Sequence, residues 1–275
     1  MARPFAAVVG AGPMGLWTAK HLKSRGYSVA VYDRDRGRAR KAAQQGKVAA
    51  ARNFEDAVSK ASLIIVATGS LNAGEVVKKI TSAYGGKTIV DISSVKSPVV
   101  RSLKRLDIGD NRVVLTHPLF GPGATTLRDK TVILTPFRNK AEEYNTAREI
   151  FKPCRIVSMK AEEHDLKMAY AMAVPRILML SLLDSWKTKG VGVLTSSQKA
   201  LMVAASTMLT EKPALIKEIV ASNPYTPKAL KTVEKTMKTL RNPEHIPKLC
   251  RRLRPTASEL SSTYKQAYRW VEQRP

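Results

Sequence analysis

Three groups of residues in this chain have the types and spacing that chemistry needs. The first is Gly10-Ala11-Gly12-Pro13-Met14-Gly15. Glycine at the first position permits a tight turn, at the second lets the backbone approach a pyrophosphate, and at the third lets a helix pack closely on a strand. The N–H groups and partial positive charge of the helix start would then face the phosphates. Asp33 lies 18 residues beyond Gly15, where an acidic side chain grips the adenosine ribose. Gly10, Gly12, Pro13, Met14, Gly15, Asp33 and Arg34 are thus read as a dinucleotide site. Asp33 favours NAD because its charge repels a 2′-phosphate. Arg34, Arg36 and Arg38 follow at once. They suit the extra phosphate of NADP, or simply begin a solvated basic helix. The reading leans to NAD and keeps NADP open.

The second group is Asp91-Ile-Ser-Ser94-Val-Lys96 and the third Thr116-His117-Pro118-Leu-Phe-Gly121-Pro-Gly123. Each closes an expected strand, and in an open α/β sheet such ends face the ligand crevice. His117 has the pKa range to accept a proton from a substrate hydroxyl as hydride leaves the same carbon. Ser94 would orient that hydroxyl or the imidazole. Lys96 either helps to neutralise an anionic substrate or faces solvent. His164 and Asp165 either reach the crevice or start a long helix. The second reading is favoured, since Asp near a helix N-terminus is stabilising.

The elements that must position these groups fall into two regimes. Up to Ser158, short apolar strands such as Phe5–Val9, Ser28–Tyr32, Leu63–Ala67, Thr88–Asp91 and Val113–Thr116 alternate with helical segments. That is the pattern of a parallel, doubly wound sheet. Beyond Ser158 the strand signal stops. Ala161–Lys189, Ser196–Thr210, Pro213–Ser222, Pro227–Leu240 and Thr256–Glu272 read as helices, and Pro175 is expected to kink the first of them. The expected organisation is an α/β dinucleotide-binding domain, residues 1–158, followed by an all-helical domain, residues 159–275.

In this order, GAGPMG, DISSVK, THPLFGPG, VILTP and Glu163-His164-Asp165 make the chain resemble the prephenate dehydrogenase family, especially its archaeal-like, single-function forms. The resemblance implies an N-terminal Rossmann domain and a helical domain that forms a homodimer. It implies an NAD(P)-dependent oxidoreductase of tyrosine biosynthesis that converts prephenate to 4-hydroxyphenylpyruvate by hydride transfer and loss of CO2. His117 matches the family's catalytic histidine and Ser94 the serine that assists it. Two departures stand out. Val174-Pro175-Arg176 occupies the place of a Leu-Pro-His triplet, and Ser206-Thr207-Met208-Leu209 lacks the family's Thr-Arg. Arg176 is therefore expected to bind a substrate carboxylate, because a guanidinium fork suits one. The alternative places it at the domain surface. An arogenate dehydrogenase is the nearest rival, with the same chemistry on an amino substrate. 3-Hydroxyacid dehydrogenases and imine reductases are more distant, since they usually rely on a lysine in the helical domain.

Composition bounds the remaining classes. Lys plus Arg number 47 against 22 Asp plus Glu, a net charge of +25. The excess is spread out, with 27 basic and 12 acidic residues up to 158 and 20 and 10 beyond it. A nucleic-acid-binding, cofactor-sensing protein would concentrate that charge in a stripe or carry a base-reading motif, and neither is seen. A diffuse field suits anionic ligands. Cys154 and Cys250 match no metal spacing, so no metal is expected and both read as free thiols. The N-terminal residues lack the pattern of a signal peptide. The apolar run Met168–Leu183, broken by Pro175 and Arg176, is too short to read as a membrane span. The expectation is a soluble cytoplasmic protein with a small-molecule substrate and neither a membrane nor a specific nucleic acid as partner.

Overall fold

The computed structural model describes residues 3–190 and 195–253. One compact unit ends at Lys167 and a second begins at Met168. The helix expected over Thr256–Glu272 lies outside the described residues.

The first unit is built on eight strands: β1 (Phe5–Val9), β2 (Ser28–Tyr32), β3 (Ala49–Ala50), β4 (Leu63–Val66), β5 (Thr88–Asp91), β6 (Arg112–Pro118), β7 (Thr131–Thr135) and β8 (Arg155–Ser158). Their order across the sheet is β3-β2-β1-β4-β5-β6-β7-β8. The helices between them are α1 (Pro13–Ser24), α2 (Arg36–Gly46), α3 (Phe54–Val58), α4 (Ser70–Ala83), α5 (Ser97–Leu103) and α6 (Lys140–Phe151), with α7 (Ala161–Met168) after β8. Strands β1 and β4 are apolar at nearly every position because both faces are covered. Ala6, Val8, Ile65 and Val90 pack against α1 and α6 on one face, and Ala7, Val9, Ile64 and Ile89 against α3, α4 and α5 on the other.

The sheet departs from the all-parallel expectation at one place. β6 and β7 pair antiparallel, Leu115 opposite Thr135 and Pro118 opposite Val132. The segment between them forms no helix. A parallel return would need a crossover, so the chain doubles back instead. β1 to β6 remain parallel. The ends of β1, β4, β5 and β6 consequently open on one edge, where all three candidate groups lie.

The second unit contains α8 (Val174–Thr188), α9 (Ser196–Leu209), α10 (Pro213–Ser222) and α11 (Thr226–Thr239). A capping box of Thr195 and Gln198 starts α9. A π-helical turn, Ala169–Ala173, stands just before α8 and Pro175, where a kink was expected. The wider turn accommodates a proline that cannot donate its i→i−4 bond. Ala169, Val174 and Ala229 form a small core with Tyr225, Leu230 and Val233. Leu178, Leu180, Leu201, Met202 and Leu209 remain exposed.

One sequence-based expectation changes in length. Helical structure runs over Ala161–Thr188, 28 residues with a mean hydropathy of 1.5 in its most apolar window. By length and composition alone that is enough to cross a membrane, contrary to the reading of Met168–Leu183. The same stretch also carries His164, Asp165 and Arg176, each held by polar groups of the protein.

Candidate active site

The glycine loop turns between β1 and α1. Gly10 has a φ of +108°, and a Cβ there would stand 2.4 Å from the Ala67 carbonyl oxygen. A Cβ on Gly15 would stand 1.9 Å from the carbonyl oxygen of Gly10. Both positions therefore require glycine for packing alone. Gly12 differs, since a Cβ there would meet nothing within 4 Å. Its open side is the space a ligand would fill, and it begins α1 without a side-chain cap. Beside Gly10, the buried Thr68 hydroxyl has no hydrogen-bond partner among the described residues. An uncapped helix start, an open cradle and an unpartnered hydroxyl fit a dinucleotide's phosphates.

Asp33 extends from the end of β2 toward this loop. Its Oδ2 accepts the Ala11 N–H at 2.9 Å, and its Oδ1 accepts that of Asp35. Arg38 is drawn to Asp35 at 2.9 Å and lies 3.7 Å from Asp33. Arg34 and Arg36 are exposed. Of the three arginines, Arg38 is thus already neutralised by carboxylates.

The motif after β5 is organised around a buried ion pair that sequence reasoning missed. Lys96 is fully buried. Its ammonium donates to the Asp91 carboxylate, to the Thr116 carbonyl at 2.5 Å and to the Ser93 hydroxyl at 3.2 Å. Burial holds the Lys96 pKa below its ordinary value, and Asp91 offsets only part of that shift. With a carboxylate and a carbonyl in contact, the ammonium form is the one these partners stabilise. Both readings of Lys96 are corrected. It does not face solvent, and its three donors are engaged inside the protein, so none is left for a substrate. Lys96 instead pins the β5 loop to the end of β6, aided by the Thr116 hydroxyl bond to the Asp91 carbonyl. Ser94 sits in that pinned loop, half-buried.

His117 is the penultimate residue of β6 and only 3% exposed. Its Nδ1 lies 2.9 Å from His164 Nε2. His164 Nδ1 lies 2.7 Å from Asp165 Oδ1. Asp165 also accepts the backbone N–H groups of Lys96 at 2.8 Å and Ser97 at 2.7 Å, thereby capping α5 from a different helix. Burial lowers the His164 pKa, against the pull of Asp165. Burial also pushes Asp165 up, but His164 and the two N–H groups outweigh it and hold the carboxyl below its usual range. His164 and Asp165 therefore do more than start a helix. The signal in the sequence was their adjacency before an apolar helix and the place of Glu163-His164-Asp165 among the motifs of the resemblance.

Arg176 is corrected as well. It is 8% exposed and so not a surface residue. Its fork grips Glu211 through Nε at 3.0 Å and Nη2 at 2.6 Å, while Nη1 donates to the Met172 carbonyl. The guanidinium is thus engaged by the Glu211 carboxylate in this structure. Another contact missed from sequence joins α1 to the loop after β6: Trp17 donates to the Ala124 carbonyl at 2.9 Å and packs edge-on against Phe120.

Comparison with known proteins bears on this arrangement. A family model described as the nucleotide-binding domain of prephenate dehydrogenase matches residues 18–160. A Methanocaldococcus jannaschii protein named "Probable arogenate/prephenate dehydrogenase" is 26% identical over 221 residues, covering 78% of this chain and 48% of that protein. The chain thus spans about half the length of that relative. Among solved structures, prephenate dehydrogenase from A. aeolicus, in complex with hydroxyphenyl propionate and NAD+, superposes with a TM-score of 0.73 at 20% identity, over 97% of this chain and 99% of that one. Synechocystis arogenate dehydrogenase gives 0.68 at 18% identity, over 94% and 99%. At these identities the two structures speak for the fold.

Proposed function

The chain belongs to the prephenate dehydrogenase family, and from that premise we propose that it oxidises and decarboxylates prephenate to 4-hydroxyphenylpyruvate, with NAD as hydride acceptor. The observation that carries this reading is His117, at the end of β6, held by His164 at 2.9 Å beside the pinned loop that bears Ser94. The same edge of the sheet carries the glycine cradle and Asp33, which would hold the pyrophosphate and the adenosine ribose. The oxidised nicotinamide, when bound, supplies the acceptor for a hydride from the hydroxyl-bearing ring carbon.

The protein's own residues handle the proton. His117 takes it from the ring hydroxyl as hydride departs, leaving a carbonyl. The ring carboxylate then leaves as CO2, its bonding electron pair enters the ring, and the ring becomes aromatic. His117 returns the proton to the phenolate oxygen so formed. Ser94 orients the hydroxyl. The named relative and the Synechocystis structure keep arogenate as the alternative substrate. An assay at 340 nm crossing NAD and NADP with prephenate and arogenate decides among the four. Reduction fastest with NAD and prephenate is expected, and no reduction in any combination overturns the reading.

Two further expectations follow from the helical unit. Replacing Arg176 by Ala should leave KM for the substrate within about twofold and lower stability by about 1–3 kcal/mol, because Glu211 loses its partner. A large rise in KM with unchanged stability would restore Arg176 as a carboxylate ligand. The exposed Leu178, Leu180, Leu201, Met202 and Leu209 support a homodimer that buries them. Light scattering should give twice the mass of one chain, and charged substitution at Leu180 and Met202 together should shift it to the single-chain value.

A further inference from the structure

We propose that His164 and Asp165 are positioning residues that decide which nitrogen of His117 acts as the base. This rests on the reading of His117 as the proton acceptor.

The assignment starts at Asp165. Its Oδ1 accepts from the Lys96 N–H and stands 2.7 Å from His164 Nδ1, and its Oδ2 accepts from the Ser97 N–H. An ionised carboxylate only accepts, so His164 Nδ1 must carry a proton. Burial favours the neutral form of His164, which leaves a lone pair on Nε2. His117 Nδ1, 2.9 Å from that lone pair, must then be the donor. Neutral His117 is therefore the Nδ1–H tautomer, with its basic lone pair on Nε2. The order cannot reverse while Asp165 has no proton to give.

The charges around the pair favour the step that follows. Asp91 and Lys96 offset one another, and Asp165 adds one further negative charge behind His164. A nearby net negative charge favours the imidazolium that forms when His117 Nε2 takes the hydroxyl proton. The Nδ1–H bond to His164 persists through that step. The proton then goes back to the phenolate oxygen, so none needs to leave the cluster.

The test reads the tautomer directly. The chain has four histidines, few enough to assign by two-bond 15N–1H correlation on 15N-histidine-labelled protein. Without substrate at neutral pH, His117 should show a protonated Nδ1 and a bare Nε2. In Asp165→Asn the carboxamide can give an N–H to His164, which reverses the chain and protonates His117 Nε2. That variant should lose about 100-fold or more in kcat, with KM values within about twofold. His164→Gln offers a carboxamide oxygen to His117 Nδ1, and should keep the wild-type tautomer and kcat within about tenfold. An Nε2–H tautomer in the wild-type protein overturns the assignment, as does an Asp165→Asn variant that shows a protonated His117 Nε2 and yet keeps the wild-type kcat. If Asp165→Asn does not fold, the wild-type spectrum decides alone. An active enzyme with the wrong tautomer overturns this assignment and not the function. An inactive protein with the right tautomer overturns the function and not the assignment.

Discussion

Replacing His117 by Asn lowers kcat by about 10²- to 10⁴-fold, the range for loss of a positioned proton acceptor. Asparagine is chosen because it is a narrow change. Its amide N–H can take the place of His117 Nδ1 and donate to His164 Nε2, which that nitrogen faces at 2.9 Å. The buried cluster then keeps its internal bond, and what disappears is the second ring nitrogen. The glycine loop lies between β1 and α1, and Asp33 at the end of β2, so the dinucleotide should bind as before. Steady-state rates at 340 nm together with a fluorescence titration of the dinucleotide separate the two effects. A variant within tenfold of the wild-type kcat removes His117 from the chemistry. A variant that loses dinucleotide affinity in proportion to kcat shows instead that the substitution disturbed the sheet edge.

The second large effect is on stability. Lys96→Met should destabilise the fold by about 3–5 kcal/mol, because it leaves the Asp91 carboxylate buried without its counter-charge. Neither side chain of that pair is exposed. The loss exceeds that expected for a surface ion pair such as Lys79–Glu55, whose charges stay hydrated and screened. Adding Asp91→Asn to Lys96→Met should recover part of the loss, since an amide costs less to bury than an unpaired charge. Urea denaturation of the single and double variants measures both. A single variant within about 1 kcal/mol of wild type would mean that water or a rearranged loop satisfies Asp91. Activity should fall with Lys96→Met as well, because its contact with the Thr116 carbonyl holds the Ser94 loop beside the His117 strand.

How much was legible beforehand differs element by element. The alternation of strands and helices was plain at β1 and β4, because continuous apolar runs such as Phe5–Val9 and Leu63–Val66 are what a sheet buried on both faces demands. The reversal at β7 was not, because apolar content does not encode strand direction. The absence of a helix between Pro118 and Thr131 was the available clue. Pro175 announced a disturbed helix, but its π-helical form depends on how the preceding turn relaxes around the ring.

By itself the sequence determined the glycine loop, the strand ends that present Ser94 and His117, and the change from strands to helices. These depend on short-range rules: spacing, local sterics and hydrophobic period. Only the tertiary structure decided the partners of Lys96, Arg176 and His164. Their contacts join residues 20, 35 and 47 positions apart. Whether a buried charge serves a ligand or the fold depends on which neighbour has already satisfied it. That neighbour is brought close by packing, and no local pattern around Lys96 or Arg176 records its identity.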